Sequence, residues 1–474
     1  MKRLTIYNTL GRKSQTFKPL KGKAVSFYHC GATVYWRQHI GNLRSVVLAD
    51  AVARTLEYFG YKVKMVRNYT DVGHLSSDTD EGEDKMIIGA KREKLTPIEI
   101  ASKYIGLYEA DVARLNVQSP TVAPKATEHI PEMIAMVQML MKKGFAYATP
   151  LAIYFDVSKA KDYTRLSGQN LELNRRDAGH GDIADPDKYH ATDFALWFFR
   201  AGTHAHALQY WPSPFTSPLV ENGNGFPGWH IECSAMAKKY LGPTLDLHMG
   251  GVEHIPVHHT NEIAQSESAN GKPFVRFWLH NEHLLLDNGK MSKSDGNIVT
   301  LDDVIDRGYD PLALRYLYLQ AHYRSKQNFT WQSLDGAQSA LTKLRQYIQQ
   351  LQNIKVGKVV KKSTAEFEKA LADDFNTAAA LAVVWDLLKT KNKPGDILAT
   401  LLDFDQVLGL NLKDSLKIKA IPQEVTDLAE QRQQARAAKD FAQADAARLQ
   451  IEALGYAIKD TADGYQLEPL IMSH

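Results

Sequence analysis

An α/β fold with a helical extension behind it is what this sequence predicts. Three observations lead there. Residues 24–67 read as strand, helix, strand. Residues 229–297 return to the same alternation, and from about residue 300 onward the apolar residues fall almost entirely at helical spacing.

Residues 24–30 (AVSFYHC) read as a short buried strand, closed by a glycine-containing turn at Gly31. Residues 41–59 follow as a helix: Leu43, Val46, Val47, Ala51, Leu56 and Phe59 form its apolar face, and Gly60 stands where a C-terminal cap belongs. Residues 62–67 (KVKMVR) are the next strand. Strand, helix, strand in about 45 residues is a βαβ unit, which implies a parallel sheet of the nucleotide-binding kind. The stretch 145–205 differs. Strand-like pieces (FAYATP, LAIYFDV) lead into a polar run (NRRDAGHGDIADPDKYH), which reads as an insertion between two halves of the sheet domain. Beyond it, TLDLH reads as a strand broken by Gly250-Gly251, about 258–270 as a helix ended by Gly271-Lys272-Pro273, and 276–286 as a strand leading to a polar loop. Residues 333–352 and 364–411 read as helices, with polar linkers near 353–363 and 412–420. The last segment, 421–474, reads as two charged helices and a strand pair.

Bulk composition sets outer limits. The 474 residues are 44% hydrophobic and 23% charged, the proportions of an ordinary globular protein, and the length suggests two to four domains. A net charge of +3 suits a partner with phosphates without demanding one. Two cysteines about 200 residues apart imply no disulfide framework. No apolar run of 18 residues occurs and the N-terminus is polar, so neither a membrane span nor a signal peptide is expected, and a reducing cytoplasm is.

Three constellations carry chemistry. His39-Ile40-Gly41-Asn42 stands where the first helix begins. Free N–H groups and the positive end of the helix dipole make a seat for phosphates there. Gly41 lets a ligand approach the backbone, and His39 can donate to a phosphate oxygen. Taken alone, the motif also fits a plain helix cap. Lys290-Met291-Ser292-Lys293-Ser294 places two lysines around a serine on a polar loop. Nucleotidyl transfer builds negative charge that such cations meet; taken alone, this too fits a solvated loop. The third set is Trp229 to Ser234 (WHIECS), then His258-His259-Thr260-Asn261-Glu262. On a helix, His258 and Glu262 share a face. With Cys30 and Cys233 they make two thiols, an imidazole and a carboxylate, a four-ligand zinc set. They also fit two buried free cysteines beside a histidine-bearing helix, because spacing alone does not bring them together.

The first two motifs, about 250 residues apart, together resemble the HIGH and KMSKS signatures of class I aminoacyl-tRNA synthetases. A narrower resemblance follows from Tyr28-His29-Cys30-Gly31-Ala32-Thr33-Val34-Tyr35, the GWHIECSAM segment from Gly228 to Met236, HHTNEIAQS from His258 to Ser266, and Trp211-Pro212-Ser213-Pro214. DPLALRYL (310–317) and DDFNTAAAL (373–381) extend it. These are similar to segments of the cysteinyl-tRNA synthetases, and the likeness covers nearly the whole chain. It implies a Rossmann-type catalytic domain over 1–144 and 206–300, a connective insertion at 145–205, and a stem-contact region at 301–335. It further implies a helical tRNA-binding bundle at 336–412 and a small C-terminal α/β anticodon-recognition domain at 421–474.

By the same resemblance, Cys30, Cys233, His258 and Glu262 are zinc ligands, and the substrate's thiolate binds that zinc. Trp229, Thr33 and Thr70 line the amino-acid pocket; Gly31 and His248 lie near substrate and adenylate. His39, Gly41 and Asn42 hold nucleotide phosphates, and Lys290 and Lys293 meet the pyrophosphate charge. The implied partners are ATP with Mg2+, L-cysteine and the cysteine tRNA, for a monomeric, cytoplasmic enzyme without a membrane. Two residues depart from the family pattern: Asn42 replaces the second histidine of HIGH, and Ala32 replaces the proline after the Cys-Gly pair. Asparagine donates a hydrogen bond but carries no charge. A related ligase that passes cysteine to an amino sugar lacks the roughly 170 residues that follow the lysine motif here. A non-catalytic RNA-binding relative would have no need of the intact lysine and zinc sets.

Overall fold

The structure is a computed structural model that describes residues 3–72, 85–169, 185–286, 289–290, 298–416, 422–461 and 464–469. It divides into two compact units. The larger takes residues 1–347 and 353–412, the smaller 348–352 and 413–474.

At the centre of the larger unit is a parallel sheet of four strands, in the order Val275–Asn281, Leu245–Gly251, Ala24–Thr33, Lys62–Thr70. The helix Ile40–Tyr58 links the third of these to the fourth. The strand Leu245–Gly251 is buried along its entire length, as a central parallel strand covered on both faces must be. Side chains alternate between those faces. Val25 and Phe27 join Leu48, Val52, Leu247 and Phe277 on one side. Tyr28 joins Val66, Ile231, Met236 and Trp278 on the other. The chain builds outward from Ala24–Thr33 in one direction, returns, and builds outward from Leu245–Gly251 in the other. That reversal opens a crevice at the carboxyl ends of the two central strands, the place where open α/β sheets bind ligands.

The sequence predicts a turn at Gly31, but the strand runs on to Thr33 with a register shift between His29 and Ala32. Gly31 makes this possible: a Cβ there would fall 1.5 Å from the Asn68 carbonyl oxygen. The following helix starts at Ile40, with His39 as its N-cap, and Gly60 takes φ 81° just past its end. The strand-like pieces after residue 145 form an antiparallel sheet of Ala146–Ala148, Ala152–Phe155, Phe194–Phe199 and Gly225–Pro227. Its fourth strand lies past residue 205, and Trp197, fully buried, pairs with Pro227 across it.

Helices Pro311–Leu319, Trp331–Gln350, Lys361–Ala372, Thr377–Leu388 and Pro394–Leu408 follow. Asp310 caps the first of these by accepting from Leu312 N, with Pro311 pre-set for the opening turn. Phe367 and Phe404 stack at 3.9 Å to join two others. The smaller unit holds helices Gln423–Ala437 and Phe441–Ala453 and an antiparallel pair, Tyr456–Thr461 with Gly464–Pro469. Val425, Ala429, Ile451 and Ile458 make its core. Among the described residues no helix is long and apolar enough to cross a membrane.

Candidate active site and metal centre

A cleft of about 740 Å³ opens at the carboxyl ends of the two central strands. Its walls include Cys30, Gly31, Thr33, His39, Gly41, Asn42, Thr70, Trp229, Cys233 and His258. One end is the N-terminus of the Ile40–Tyr58 helix. His39 is extended there (ψ 164°), and its Nδ1 accepts from the backbone N–H of Asn42 at 3.2 Å. The dipole of a 19-residue helix and its first free N–H groups face this end. Residues 291–294 of the lysine pentad, Lys293 among them, lie outside the described residues. Lys290 closes a short strand of which only the backbone is described.

The other end is a buried polar cluster. Cys30 comes from the first central strand, Cys233 from the helix Trp229–Leu241, and His258 and Glu262 from one face of His258–Asn270. The Sγ, imidazole nitrogen and carboxylate oxygen atoms of these four lie within 4.8 Å of one another. His258 Nε2 is 3.0 Å from Glu262 Oε1, and Cys30 Sγ is 3.9 Å from the same oxygen. Tetrahedral zinc with bonds of 2.0–2.3 Å requires ligand atoms about 3.3–3.8 Å apart. The donor set and its spacing therefore fit such an ion.

Electrostatics fit as well. The Cys30 thiol, donating to its neighbour, holds Cys233 down at about 6 against the opposing effect of burial, with help from His258. Burial pushes Cys30 itself up. Burial would lower His258, but the Glu262 carboxylate and Cys233 outweigh it and raise the imidazole to about 10. Burial would raise Glu262, but His248 and His258 hold it down at about 2. One sulfur is thus already inclined to ionise, the state in which it binds metal.

The indole of Trp229 stacks on the His258 ring at 4.3 Å, which fixes the imidazole from the cleft side. His230 Nδ1 and His258 Nδ1 are 3.0 Å apart behind it. His248 is fully buried and is not among the cleft walls; its Nε2 lies 3.1 Å from Glu262 Oε2. Asn68 accepts from Gly31 N at 3.0 Å, and its Oδ1 lies 3.8 Å from Cys233 Sγ. Sequence reasoning missed Asn68, His230, His259 and His280. For His259 the doubled histidine is a signal, although neighbouring residues on a helix point about 100° apart.

Comparison with known proteins agrees. Residues 16–339 match the family described as tRNA synthetases class I (C) catalytic domain, residues 366–413 the DALR domain, and residues 419–466 the cysteinyl-tRNA ligase anticodon binding domain. The chain is 44% identical to cysteine--tRNA ligase 1 of Burkholderia lata, across 99% of this chain and 97% of that protein. It is 42% identical to the cysteine--tRNA ligase of Symbiobacterium thermophilum, across 97% and 98%. A solved methionyl-tRNA synthetase of Mycobacterium tuberculosis with methionyl-adenylate shares the fold, at TM-score 0.54 and 14% identity over 89% of this chain and 96% of that one. With its catalytic, DALR and anticodon-binding segments matched in order, the chain belongs to the cysteinyl-tRNA synthetases, a family of ATP-dependent class I aminoacyl-tRNA synthetases.

Proposed function

We propose that this chain activates cysteine with ATP and transfers it to the 3′-terminal ribose of the cysteine tRNA, choosing cysteine through a zinc ion held by Cys30, Cys233, His258 and Glu262. One observation supports this above the rest: the four donor atoms gather within 4.8 Å at one end of a cleft whose other end is a helix N-terminus. A bound zinc supplies a soft Lewis acid that prefers a thiolate to a serine hydroxyl. This matters because apolar pockets separate near-isosteres only about 100-fold.

The residues then divide the work. The helix N-terminus with His39, Gly41 and Asn42 receives the ATP phosphates, which arrive with Mg2+. Thr33, Thr70 and Trp229 hold the amino acid; Gly31 lies near substrate and adenylate, and His248 sits behind the site. The substrate carboxylate attacks the α-phosphate, forming cysteinyl-adenylate and releasing pyrophosphate, whose charge Lys290 and Lys293 meet. The terminal ribose hydroxyl of the tRNA then takes the acyl group and AMP leaves. Positioning and electrostatics carry the rate, so no general base is assigned. The segments 1–144 and 206–300 form the catalytic domain, with 145–205 as its connective insertion. Residues 301–335 contact the tRNA stem, 336–412 bind its inner face, and 421–474 read the anticodon. The enzyme works as a monomer in the cytoplasm.

The test is cysteine-dependent pyrophosphate exchange together with charging of total tRNA. ATP-dependent charging of one tRNA species, with serine rejected by at least a thousandfold, supports the reading. Exchange without charging moves the acceptor to a small molecule. Absence of both overturns the proposal and points to Asn42 and Ala32 as marks of a lost activity.

A further inference from the structure

The buried cluster contains more donors than one four-ligand site uses. Cys30 and Glu262 converge a second time, with His248 and His259, and these four ligand atoms also lie within 4.8 Å of one another. Cys30 Sγ is 3.4 Å from His259 Nε2 and 3.9 Å from Glu262 Oε1. Glu262 reaches His259 Nε2 with Oε1 at 4.0 Å and His248 Nε2 with Oε2 at 3.1 Å. Around a tetrahedral ion, a sulfur and a nitrogen or oxygen ligand sit about 3.5 Å apart, and two nitrogen or oxygen ligands about 3.3 Å apart. These four separations, taken to one or the other oxygen of Glu262, lie within roughly 0.7 Å of those values.

Metal-binding imidazoles are normally held from behind by a hydrogen bond on their other nitrogen. His259 has that support: its Nδ1 is 2.7 Å from His280 Nε2, and His280 Nδ1 is 2.8 Å from Thr9 Oγ1. Ring stacking on Trp278 at 4.5 Å orients His248, whose Nδ1 has no hydrogen-bond partner among the described residues. The two seats therefore differ in kind. One offers two sulfurs, one nitrogen and one oxygen, next to the cleft. The other offers one sulfur, two nitrogens and one oxygen, one layer deeper.

Resting on the reading of Cys30, Cys233, His258 and Glu262 as a metal centre, we propose that Cys30, His248, His259 and Glu262 form a second seat for a divalent transition-metal ion. It shares two ligands with the first, so that one ion per chain has two positions. Loss of Cys233 then displaces the ion without expelling it. Loss of Cys30, common to both seats, expels it.

Cobalt(II) tests this, because its absorption reports both stoichiometry and the number of thiolate ligands. The full chain is expected to bind one Co2+ with a two-thiolate charge-transfer band. Cys233→Ala, and Cys233→Ser as a second version, should still bind one Co2+, with that band roughly halved and affinity down on the order of tenfold. His259→Gln alone should keep the two-thiolate band. Cys233→Ala/His259→Gln and Cys30→Ala should each bind at least a further tenfold more weakly. Circular dichroism on each variant identifies any that has unfolded. The proposal is overturned if folded Cys233→Ala and Cys233→Ser bind Co2+ as poorly as Cys30→Ala, or if adding His259→Gln to Cys233→Ala changes nothing. A full chain that takes up no Co2+ overturns the metal reading as a whole, an outcome the variants alone do not produce.

Discussion

Two clusters of ionisable side chains are buried equally deeply in the larger unit, one around Asp50 and one around Glu262. Asp50 accepts from Arg315 Nη2 at 2.6 Å, Arg54 Nε at 2.7 Å and Gln118 N at 2.8 Å. Arg315 places its other N–H groups on the carbonyls of Leu408 at 2.7 Å and Leu115 at 3.0 Å. Those bonds tie the first helix to two helices from the end of the unit. Around Glu262 the atoms are histidine nitrogens, thiols and a carboxylate that face one another, and His248 Nδ1 has no hydrogen-bond partner among the described residues. Buried charge alone therefore does not identify a site. A structural cluster directs its donors to backbone carbonyls; a binding cluster directs lone pairs toward one point.

The comparison breaks hardest at Asp50. Asp50→Ala leaves Arg315 as an uncompensated buried cation and should cost about 3–5 kcal/mol in urea unfolding. If the loss is under 1 kcal/mol, the Asp50 cluster is not the tie described. Next is Cys30→Ala, which should lower cysteine-dependent pyrophosphate exchange by at least about a hundredfold, about 2.7 kcal/mol of barrier, while the urea midpoint moves far less than in Asp50→Ala. The double change Asp50→Leu/Arg315→Met sharpens the contrast. Removing both partners of a structural pair should recover at least half of the stability that Asp50→Ala loses, whereas paired removal of Cys30 and Glu262 should recover no exchange activity.

The smallest effect is in pH. Burial would raise the Asp50 carboxyl, but Arg315 and Arg54 outweigh it and hold it below its usual value. Its contribution is thus present above the unfolded value of about 3.9 and lost as pH falls through the lower folded value. The stability gap between the unaltered chain and Asp50→Asn should hold from pH 7 to about 5 and close in more acidic solution. A gap that widens on acidification would contradict this sign.

Periodicity made much of the fold legible. The strand-helix-strand of 24–67 and the helix His258–Asn270 could be read because each follows its own spacing between glycine signals. Strand order could not be read, since nothing local tells Ala24–Thr33 that Leu245–Gly251 will be its neighbour. Nor could the extent of the first strand, because Gly31 signals a turn unless the Asn68 carbonyl is known to be against it. In the site, the i, i+4 pair His258 and Glu262 could be read from helix geometry, but the arrival of Cys30 and Cys233 beside them is a product of the sheet crossing. His280 carries no local signal and His259 only its doubled histidine: their place in the cluster depends on which face of the sheet lies beneath them.

That crossing also has a consequence in time. Ala24–Thr33 is among the first strands made, yet its inner neighbour Leu245–Gly251 leaves the ribosome about 200 residues later. At 5–20 residues per second, the interval is roughly ten to forty seconds. Throughout it, the emerging chain displays an open strand edge, which the finished sheet covers. The architecture that gathers four distant side chains thus leaves the nascent chain open to strand mispairing during that interval.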